Sequence, residues 1–100
     1  MKQIAKFKKI LIVDDQSFNI DALLIILKYK IGIQTTKVCE HCFDGLEPIE
    51  IIKNDVETRK SVGLNQLRFD LILIDCNMPF LDGYETTDRI RQILHDNNFI

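Results

Sequence analysis

The sequence contains no apolar run long enough to form a transmembrane helix. Residues 1–9 also lack the apolar core of a signal peptide. Its cysteines number three, an odd count that suits a reducing compartment better than a disulfide framework. These absences argue against the membrane and secreted classes and predict a cytoplasmic, intracellular location.

The sequence also lacks a large excess of charge of one sign. Its formal net charge is −2, so no overall field draws the chain onto nucleic acid or an anionic membrane. The lysines at positions 2, 6, 8 and 9 are interpreted as a solvated lead-in to the first strand, because no face with base-reading side chains accompanies them. We expect residues 1–100 to contact neither nucleic acid nor a membrane directly.

Several catalytic and binding motifs are missing. No Gly-x-Gly-x-x-Gly or Gly-x-x-x-x-Gly-Lys-Ser/Thr string occurs, so nucleotide binding has no support. Neither serine lies in a nucleophile elbow, which argues against a Ser-His-Asp hydrolase. Without a basic groove, the aromatic residues Phe43, Phe69, Phe80 and Phe99 are interpreted as core or loop anchors and not as a surface for stacking bases.

The composition that remains is ordinary for a soluble globular protein. The 100 residues are 46% hydrophobic and 28% charged. A chain of this length buries enough apolar surface for one modest core and leaves no room for two domains. We therefore predict a single domain over residues 1–100.

Three segments have the composition of β-strands. Residues 10–13 and 71–74 are short, continuous apolar runs, which are typical of strands buried on both faces, and each run ends abruptly in acid. Residues 34–39 are more polar and rich in β-branched side chains, as expected for an edge strand.

The intervening segments predict helices. The first helix has an apolar face that recurs at three- and four-residue steps from Ile20 to Ile31. The second begins near Pro48, because proline is tolerated only in a helix's first turn. Residues 54–68 are polar and predict a long connection or a frayed helix end, and residues 84–95 predict the third helix.

The resulting order, βαβαβα, implies a parallel sheet with helical crossovers. If the two apolar strands are central neighbours, the polar strand lies at the edge and the strand order is 2-1-3. The carboxyl ends of the first and third strands then lie side by side, where ligands bind in open α/β sheets.

Acidic residues occupy these two strand ends. Asp14 and Asp15 directly follow the first strand, and Asp75 follows the third. Because neighbouring parallel strands are about 4.8 Å apart, we expect the three carboxylates to converge. Like charges so close together repel each other unless a cation lies among them, and Mg²⁺ prefers such oxygen ligands. A carboxylate beside Mg²⁺ can act as a nucleophile toward phosphorus.

The segments that carry these acids resemble the receiver domains of response regulators. The matching segments are residues 10–15, 44–47, 70–79 and 81–85, and the string Asp-x-x-Met-Pro-x-x-Asp-Gly at residues 75–83 is specific. The resemblance extends from about residue 8 to residue 100. It implies a flavodoxin-like α/β fold with a parallel sheet, of which the βαβαβα portion is present.

The resemblance also implies residue roles. Asp75 would be the phosphoacceptor, Asp15 would ligate Mg²⁺ directly, and Asp14 would help through a water molecule. The backbone carbonyl of Asn77 would complete the protein's ligands to Mg²⁺. The donor would be a phosphohistidine on a histidine kinase or a histidine phosphotransfer protein, so that the domain is a phosphoacceptor and not an enzyme. The sequence of residues 78–85 is similar to that of receivers in hybrid histidine kinases.

The family pattern has further parts. Receivers use a Ser or Thr at the end of a fourth strand and a Lys at the end of a fifth, and residues 1–100 stop after the third helix. We therefore expect a receiver domain that is incomplete at its C-terminus, lacking the last two strands and their helices. Its third strand would have a bare apolar edge, which predicts marginal stability and self-association.

Other functions and roles remain open at this point. A haloacid-dehalogenase-type Mg²⁺-dependent phosphohydrolase would need a second Asp where this chain has Asn77, and a phosphorylation-independent interaction domain would keep the shape alone. The acids could instead cap helices, with Asp15 or Ser17 as the N-cap of the first helix. Cys76 is interpreted as a packing residue, and residues 39–42, Cys-Glu-His-Cys, are at most half of a four-ligand zinc site.

Overall fold

The computed structural model describes residues 9–99. The elements in chain order are β1 (Lys9–Val13), α1 (Ser17–Ile26), a π-helical segment (Leu27–Ile31), α2 (Thr35–Val38), β2 (Cys39–Cys42), α3 (Glu47–Ser61), β3 (Phe69–Ile74) and α4 (Gly83–Asp96). The predicted lysine lead-in falls almost entirely outside the described residues.

The three strands form one parallel sheet with β1 in the middle. The strand order is β2-β1-β3, which confirms the predicted order 2-1-3. Val13, the last residue of β1, lies opposite Cys42 of β2 and Ile74 of β3. The carboxyl ends of all three strands are therefore level with one another at one edge of the sheet.

Apolar layers cover both faces of the sheet, which explains why β1 is a continuous apolar run. Ile10 and Ile12 pack under α1 in one cluster. Leu11 and Val13 point the other way and pack with residues of α3 and α4 in a second cluster. Residues 10–13 are all buried because alternate side chains of a strand point to opposite faces and both faces are covered.

The predicted position of the second strand was wrong. Residues 34–39 were expected to form it, but α2 occupies most of that segment and β2 begins only at Cys39. The carbonyl of Gln34 accepts hydrogen bonds from the N–H groups of Lys37 and Val38, at 3.0 and 3.1 Å. The β-branched residues misled the prediction because β propensity reports packing on a pleated surface and not a fixed backbone preference.

The first helix follows its predicted apolar face except in its last turn. Ile20 and Leu27 are buried against the sheet, as predicted, and the helical stretch ends at Gly32, whose positive φ suits glycine. Ile31 was expected on the same face and is exposed instead. The wider π-helical turn of residues 27–31 shifts the side-chain register, and this carries Ile31 away from the core.

The predicted connection at residues 54–68 was too long. Helix α3 begins with Pro48 in its first turn, as predicted, but it continues to Ser61 and leaves only residues 62–68 as a connection. Val56 extends the buried face of the helix, and Asp55 is buried beside it. Apart from Asp55, the polar residues between Asn54 and Ser61 lie on the solvent-facing side of the helix.

A network of ion pairs that the sequence analysis did not predict lies at the amino-end of the sheet. The carboxylate of Asp55, 7% exposed, accepts the backbone N–H of Arg68 at 2.9 Å and pairs with its guanidinium at 3.3 Å. Arg68 also binds both carboxylate oxygens of Glu40, and Lys9 reaches Glu40 at 3.4 Å. The guanidinium lies over the ring of Phe69, 4.4 Å from its centroid. The network thus ties α3 to all three strands.

Within residues 9–99, β3 pairs with β1 alone, and no strand pairs with the edge of β3 that faces away from β1. Leu71, on the face that α1 covers, is 44% exposed, although the apolar run predicted a strand buried on both faces.

No helix in the described part of the chain combines the length and the apolar character needed to cross a bilayer.

The predicted aromatic anchors divide into two groups. Phe69 and Phe99 are buried in the core, as expected. The prediction was wrong for Phe43, which is about half exposed with its ring edge-on to His41, and for Phe80, which is fully exposed.

Candidate functional site

The backbone at the carboxyl end of the sheet extends the strand ladder and positions the acidic residues. The N–H of Asp75 donates to the carbonyl of Val13 at 2.9 Å, and the N–H of Asp14 donates to the carbonyl of Cys42 at 3.1 Å. The first bond holds Asp75 beside the end of β1, and the second holds Asp14 beside the end of β2.

The structure brings the three predicted carboxylates together. One carboxylate oxygen from each of Asp14, Asp15 and Asp75 lies within 4.8 Å of the other two, and all three residues are partly buried. Within residues 9–99 none of them forms an ion pair with a cationic side chain. The cluster, called the acidic triad below, therefore concentrates negative charge that this part of the protein leaves uncompensated.

Local hydrogen bonds orient two members of the acidic triad. The Oδ1 atom of Asp14 accepts from the backbone N–H of Gln16 at 2.9 Å and from the side-chain amide of Asn19 at 3.3 Å. The Oδ1 atom of Asp75 accepts from the backbone N–H of Asn77 at 3.3 Å. Asn19 was missed by the sequence analysis, although its place in the first turn of α1, one turn beyond the acids, was a usable signal.

The helix-capping alternative for these acids is wrong. The residue at the N-cap of α1 is Gln16, and no side chain caps the helix there. Asp15 makes no side-chain hydrogen bond to any residue that the structure describes. Its carboxylate is therefore available to a ligand.

The glycine of the family-like string lets α4 approach the acidic triad. A methyl group on Gly83 would overlap the carbonyl oxygen of Asp75 and would lie 2.9 Å from that carbonyl carbon. The N–H of Gly83 donates to the carbonyl of Cys76 at 3.2 Å, and Asp82 caps α4 by accepting the N–H of Glu85 at 2.9 Å. The loop after β3 is thereby fixed against the start of α4.

A second close approach joins the loop after β2 to the same helix. The hydroxyl of Thr86 is fully buried and donates to the carbonyl of Gly45 at 3.2 Å. A methyl group on Gly45 would overlap that hydroxyl and would meet Leu81 as well. The loops that follow β2 and β3 therefore pack against each other beside the acidic triad.

The donor set of the triad suits a hard divalent cation. Its atoms are all carboxylate oxygens, which Mg²⁺ and Ca²⁺ prefer over the nitrogen and sulfur ligands that zinc selects. A cation there would neutralise charges that otherwise repel one another across the site. The residues present therefore fit the metal that the sequence predicts.

The half zinc motif does not form a site. Residues 39–42 make up β2, so their side chains alternate between the two faces of the sheet and cannot converge on one ion. Burial, with the nearby carboxylates of Glu47 and Asp44, raises the pKa of Cys42 to about 12. Cys42 is thus an inert core thiol, whereas Cys76 is exposed and is not the packing residue expected.

Comparison with known proteins decides the family. A model described as the response regulator receiver domain matches residues 10–100. The chain belongs to this family. The receiver shares 34% identity over 87 residues with histidine kinase CKI1 of Arabidopsis thaliana, an alignment that covers 86% of the chain and 7% of the kinase. It shares 30% identity over 92 residues with hybrid signal transduction histidine kinase B of Dictyostelium discoideum, covering 92% and 4%.

The receiver fold is equally clear from solved structures. The crystal structure of the CKI1 receiver domain complexed with Mg²⁺ and BeF₃⁻ matches this chain with a TM-score of 0.80 at 32% identity. That match covers 93% of this chain and 60% of the solved one. The predicted resemblance and the flavodoxin-like fold are confirmed. This receiver spans less than two thirds of the solved domain and a small part of each kinase.

Proposed function

We propose that Asp75 accepts a phosphoryl group from a phosphohistidine, with Mg²⁺ held by Asp14, Asp15, Asp75 and the backbone carbonyl of Asn77. The donor is a histidine kinase or a histidine phosphotransfer protein of a cytoplasmic phosphorelay. In this function the chain is a phosphoacceptor and not itself an enzyme. The observation that supports the proposal is the acidic triad, in which three carboxylates lie within 4.8 Å without a cationic partner among residues 9–99.

The charge of the triad makes a cation necessary for this chemistry. An incoming phosphoryl group is itself an anion, so the carboxylates of Asp14 and Asp15 would repel it from Asp75. Mg²⁺, when bound, neutralises charge on the transferring phosphoryl oxygens. Asp14 is suited to hold the ion because hydrogen bonds to its backbone N–H and its carboxylate fix it beside the acceptor. Asp15 is suited because its carboxylate lies in the same cluster and makes no hydrogen bond to a described residue.

The acceptor step needs only one reactive group from this chain. A carboxylate oxygen of Asp75 forms the new bond to phosphorus while the bond from phosphorus to the donor's imidazole nitrogen breaks, and the imidazole leaves after taking up a proton. The hydrogen bond from the N–H of Asn77 to Oδ1 orients the carboxylate for this attack. Gly83 keeps the loop close enough for that orientation.

Small phosphodonors test the acceptor without a partner protein. Acetyl phosphate or phosphoramidate with Mg²⁺ should add one phosphoryl group to the chain, detected by intact-protein mass spectrometry. Asp75→Asn should abolish the labelling, because an amide oxygen is a far weaker nucleophile toward phosphorus. Asp88→Asn, which removes an exposed acid on α4, is the matched control and should label like the wild type.

Three results would contradict the proposal. Labelling that persists in Asp75→Asn would assign the acceptor to another residue. A chain that stays unlabelled with both donors would favour an interaction domain that works without phosphorylation, and turnover of many organic phosphates would favour a hydrolase. Removal of Mg²⁺ with EDTA should stop the labelling of the wild type.

A further inference from the structure

Phe80 has a backbone conformation that its residue type disfavours. Its φ is 66°, and the N–H of Leu81 donates to the carbonyl of Pro79 at 2.8 Å, across Phe80. A bond between residues two apart around a positive φ defines the rarer and strained form of the γ-turn. A bulky residue with positive φ is an outlier, and this turn would be relaxed by Gly or Asn.

The side chain of Phe80 does not offset this strain within the fold. Its exposure is 103%, so none of residues 9–99 shields the ring from water. A phenylalanine normally stabilises a protein by burying its ring. Neither backbone preference nor packing therefore accounts for a phenylalanine at this position, and strain of this kind is typical of functional sites.

The loop that carries Phe80 is anchored on both sides. Met78 is buried in the core, and Leu81 packs against the same cluster. Asp82 then caps α4. The ring is thus displayed on a fixed backbone in the loop that begins at Asp75. A contact that is already ordered loses little conformational freedom when a partner covers it, which favours binding.

Other exposed aromatic side chains lie at the same end of the molecule. Phe18, in the first turn of α1, is 78% exposed, and Tyr84, in the first turn of α4, is 70% exposed. Both helices begin at the carboxyl end of the sheet, where the acidic triad lies. Protein interfaces are enriched in aromatic residues, and a few such anchors carry most of the binding energy.

We propose that Phe80 is a docking contact for the protein that carries the donor phosphohistidine, and that it makes the receiver prefer that protein over small phosphodonors. The proposal rests on the proposed function of Asp75. A small phosphodonor needs only to reach the acceptor carboxylate. A protein donor must cover the surface around the acceptor, and there the exposed ring of Phe80, carried on a fixed backbone, meets it.

Two substitutions separate the ring from the strain. Phe80→Asn removes the ring and relaxes the turn, because Asn tolerates positive φ better than Phe does. Phe80→Tyr keeps both the ring and the strain. Val62→Asn is the control, since it removes an exposed apolar side chain at the far end of α3. The small donor is acetyl phosphate. The protein donors are the kinase cores and histidine phosphotransfer proteins encoded in the same genome, each loaded with radioactive phosphate on its histidine.

Phe80→Asn should lower kcat/KM for the protein donor about tenfold or more, the loss expected of an interface anchor. Its labelling by acetyl phosphate should stay within about twofold of wild type, and its melting temperature should be equal or higher because the strain is gone. Phe80→Tyr should retain transfer from the protein donor, and Val62→Asn should behave like the wild type with both donors.

The other outcomes overturn the proposal. Equal losses with both donors would place Phe80 in the acceptor site itself, and a lower melting temperature in Phe80→Asn would make the ring structural. Unchanged transfer from the protein donor, or no transfer to the wild type from any protein donor, would remove the docking role. Concentration-dependent dimers that vanish in Phe80→Asn would assign the ring to a second copy of the chain. Asp75→Asn, unlabelled by acetyl phosphate, reports separately on the proposed function.

Discussion

The two ends of the parallel sheet differ in whether their carboxylates are paired with cationic side chains. At the amino-end, the carboxylates of Glu40 and Asp55 are matched by Arg68 and Lys9 in a network that joins α3 to the strands. At the carboxyl end, the acidic triad gathers three carboxylates that pair with no cation within residues 9–99. Both ends bring acids close together, but only one of them supplies the opposite charge.

The difference separates a structural role from a binding role. A matched network stabilises the fold without any ligand, and breaking it leaves a buried charge without its partner. An unmatched cluster lowers stability until a cation arrives, and the binding of that cation then stabilises the folded state by mass action. Substitutions that remove a charged partner at the two ends should therefore differ in sign as well as in size.

The largest effect is expected from Gly83→Ala, at the carboxyl end. Alanine is the better helix former, so propensity alone predicts a gain. The added methyl group would overlap the backbone of Asp75, and we expect a loss of about 3 kcal/mol in the free energy of unfolding together with weaker labelling by acetyl phosphate. Urea denaturation measures the first and mass spectrometry the second. An unchanged or higher stability would show that the loop after β3 can shift to accommodate the methyl group.

The next effect is expected at the amino-end. Arg68→Ala removes the partner of both Asp55 and Glu40, and the expected loss is about 2 kcal/mol, less than for a fully buried pair because the arginine is partly exposed. Arg89→Ala, which breaks an exposed pair with Glu85 within α4, should cost less than about 0.5 kcal/mol. Similar losses in the two variants would mean that the network adds nothing beyond a surface pair.

Mg²⁺ bound at the acidic triad should raise the free energy of unfolding, an effect that is smaller than the two losses above and opposite in sign. At ten times its dissociation constant, Mg²⁺ should stabilise the wild type by about 1.4 kcal/mol. Asp15→Asn should abolish this gain, and in EDTA it should raise stability by about 0.5–1 kcal/mol because one repelling charge is removed. Thermal melts with and without Mg²⁺ make the measurement. If Asp15→Asn were destabilising in EDTA, the triad would not be under charge strain.

The smallest expected effect is a pH dependence at the amino-end. Hydrogen bonding to Arg68 holds the pKa of Glu40 below its ordinary value. Its stabilising contribution is therefore complete above the unfolded-state pKa of about 4.3 and is lost as the pH falls through the lower folded-state pKa. Glu40→Gln should flatten this acid limb in urea titrations between about pH 5 and 3 and leave the neutral region with a smaller, constant loss. An unchanged acid limb would mean that other carboxylates dominate it.

The same contrast shows which parts of the molecule the sequence could predict. The strand order and the convergence of Asp14, Asp15 and Asp75 could be predicted from two apolar runs, each followed directly by aspartate. Each of these features can be read from the local sequence of one strand. The network around Arg68 could not be predicted, because it joins residues from distant segments whose side chains carry no local pattern. The true start of β2 was missed for a related reason, since its pairing with Ile10 and not its own composition fixes it.

The buried contact between Gly45 and Thr86 has a mechanical consequence. The two groups leave no space between them, and the threonine hydroxyl is fixed to the glycine carbonyl at 3.2 Å. A movement of the first turn of α4 would therefore press on Gly45, in the loop that leads into α3. The contact thus couples the helix that follows β3 to the helix that follows β2, which contains none of the three acids.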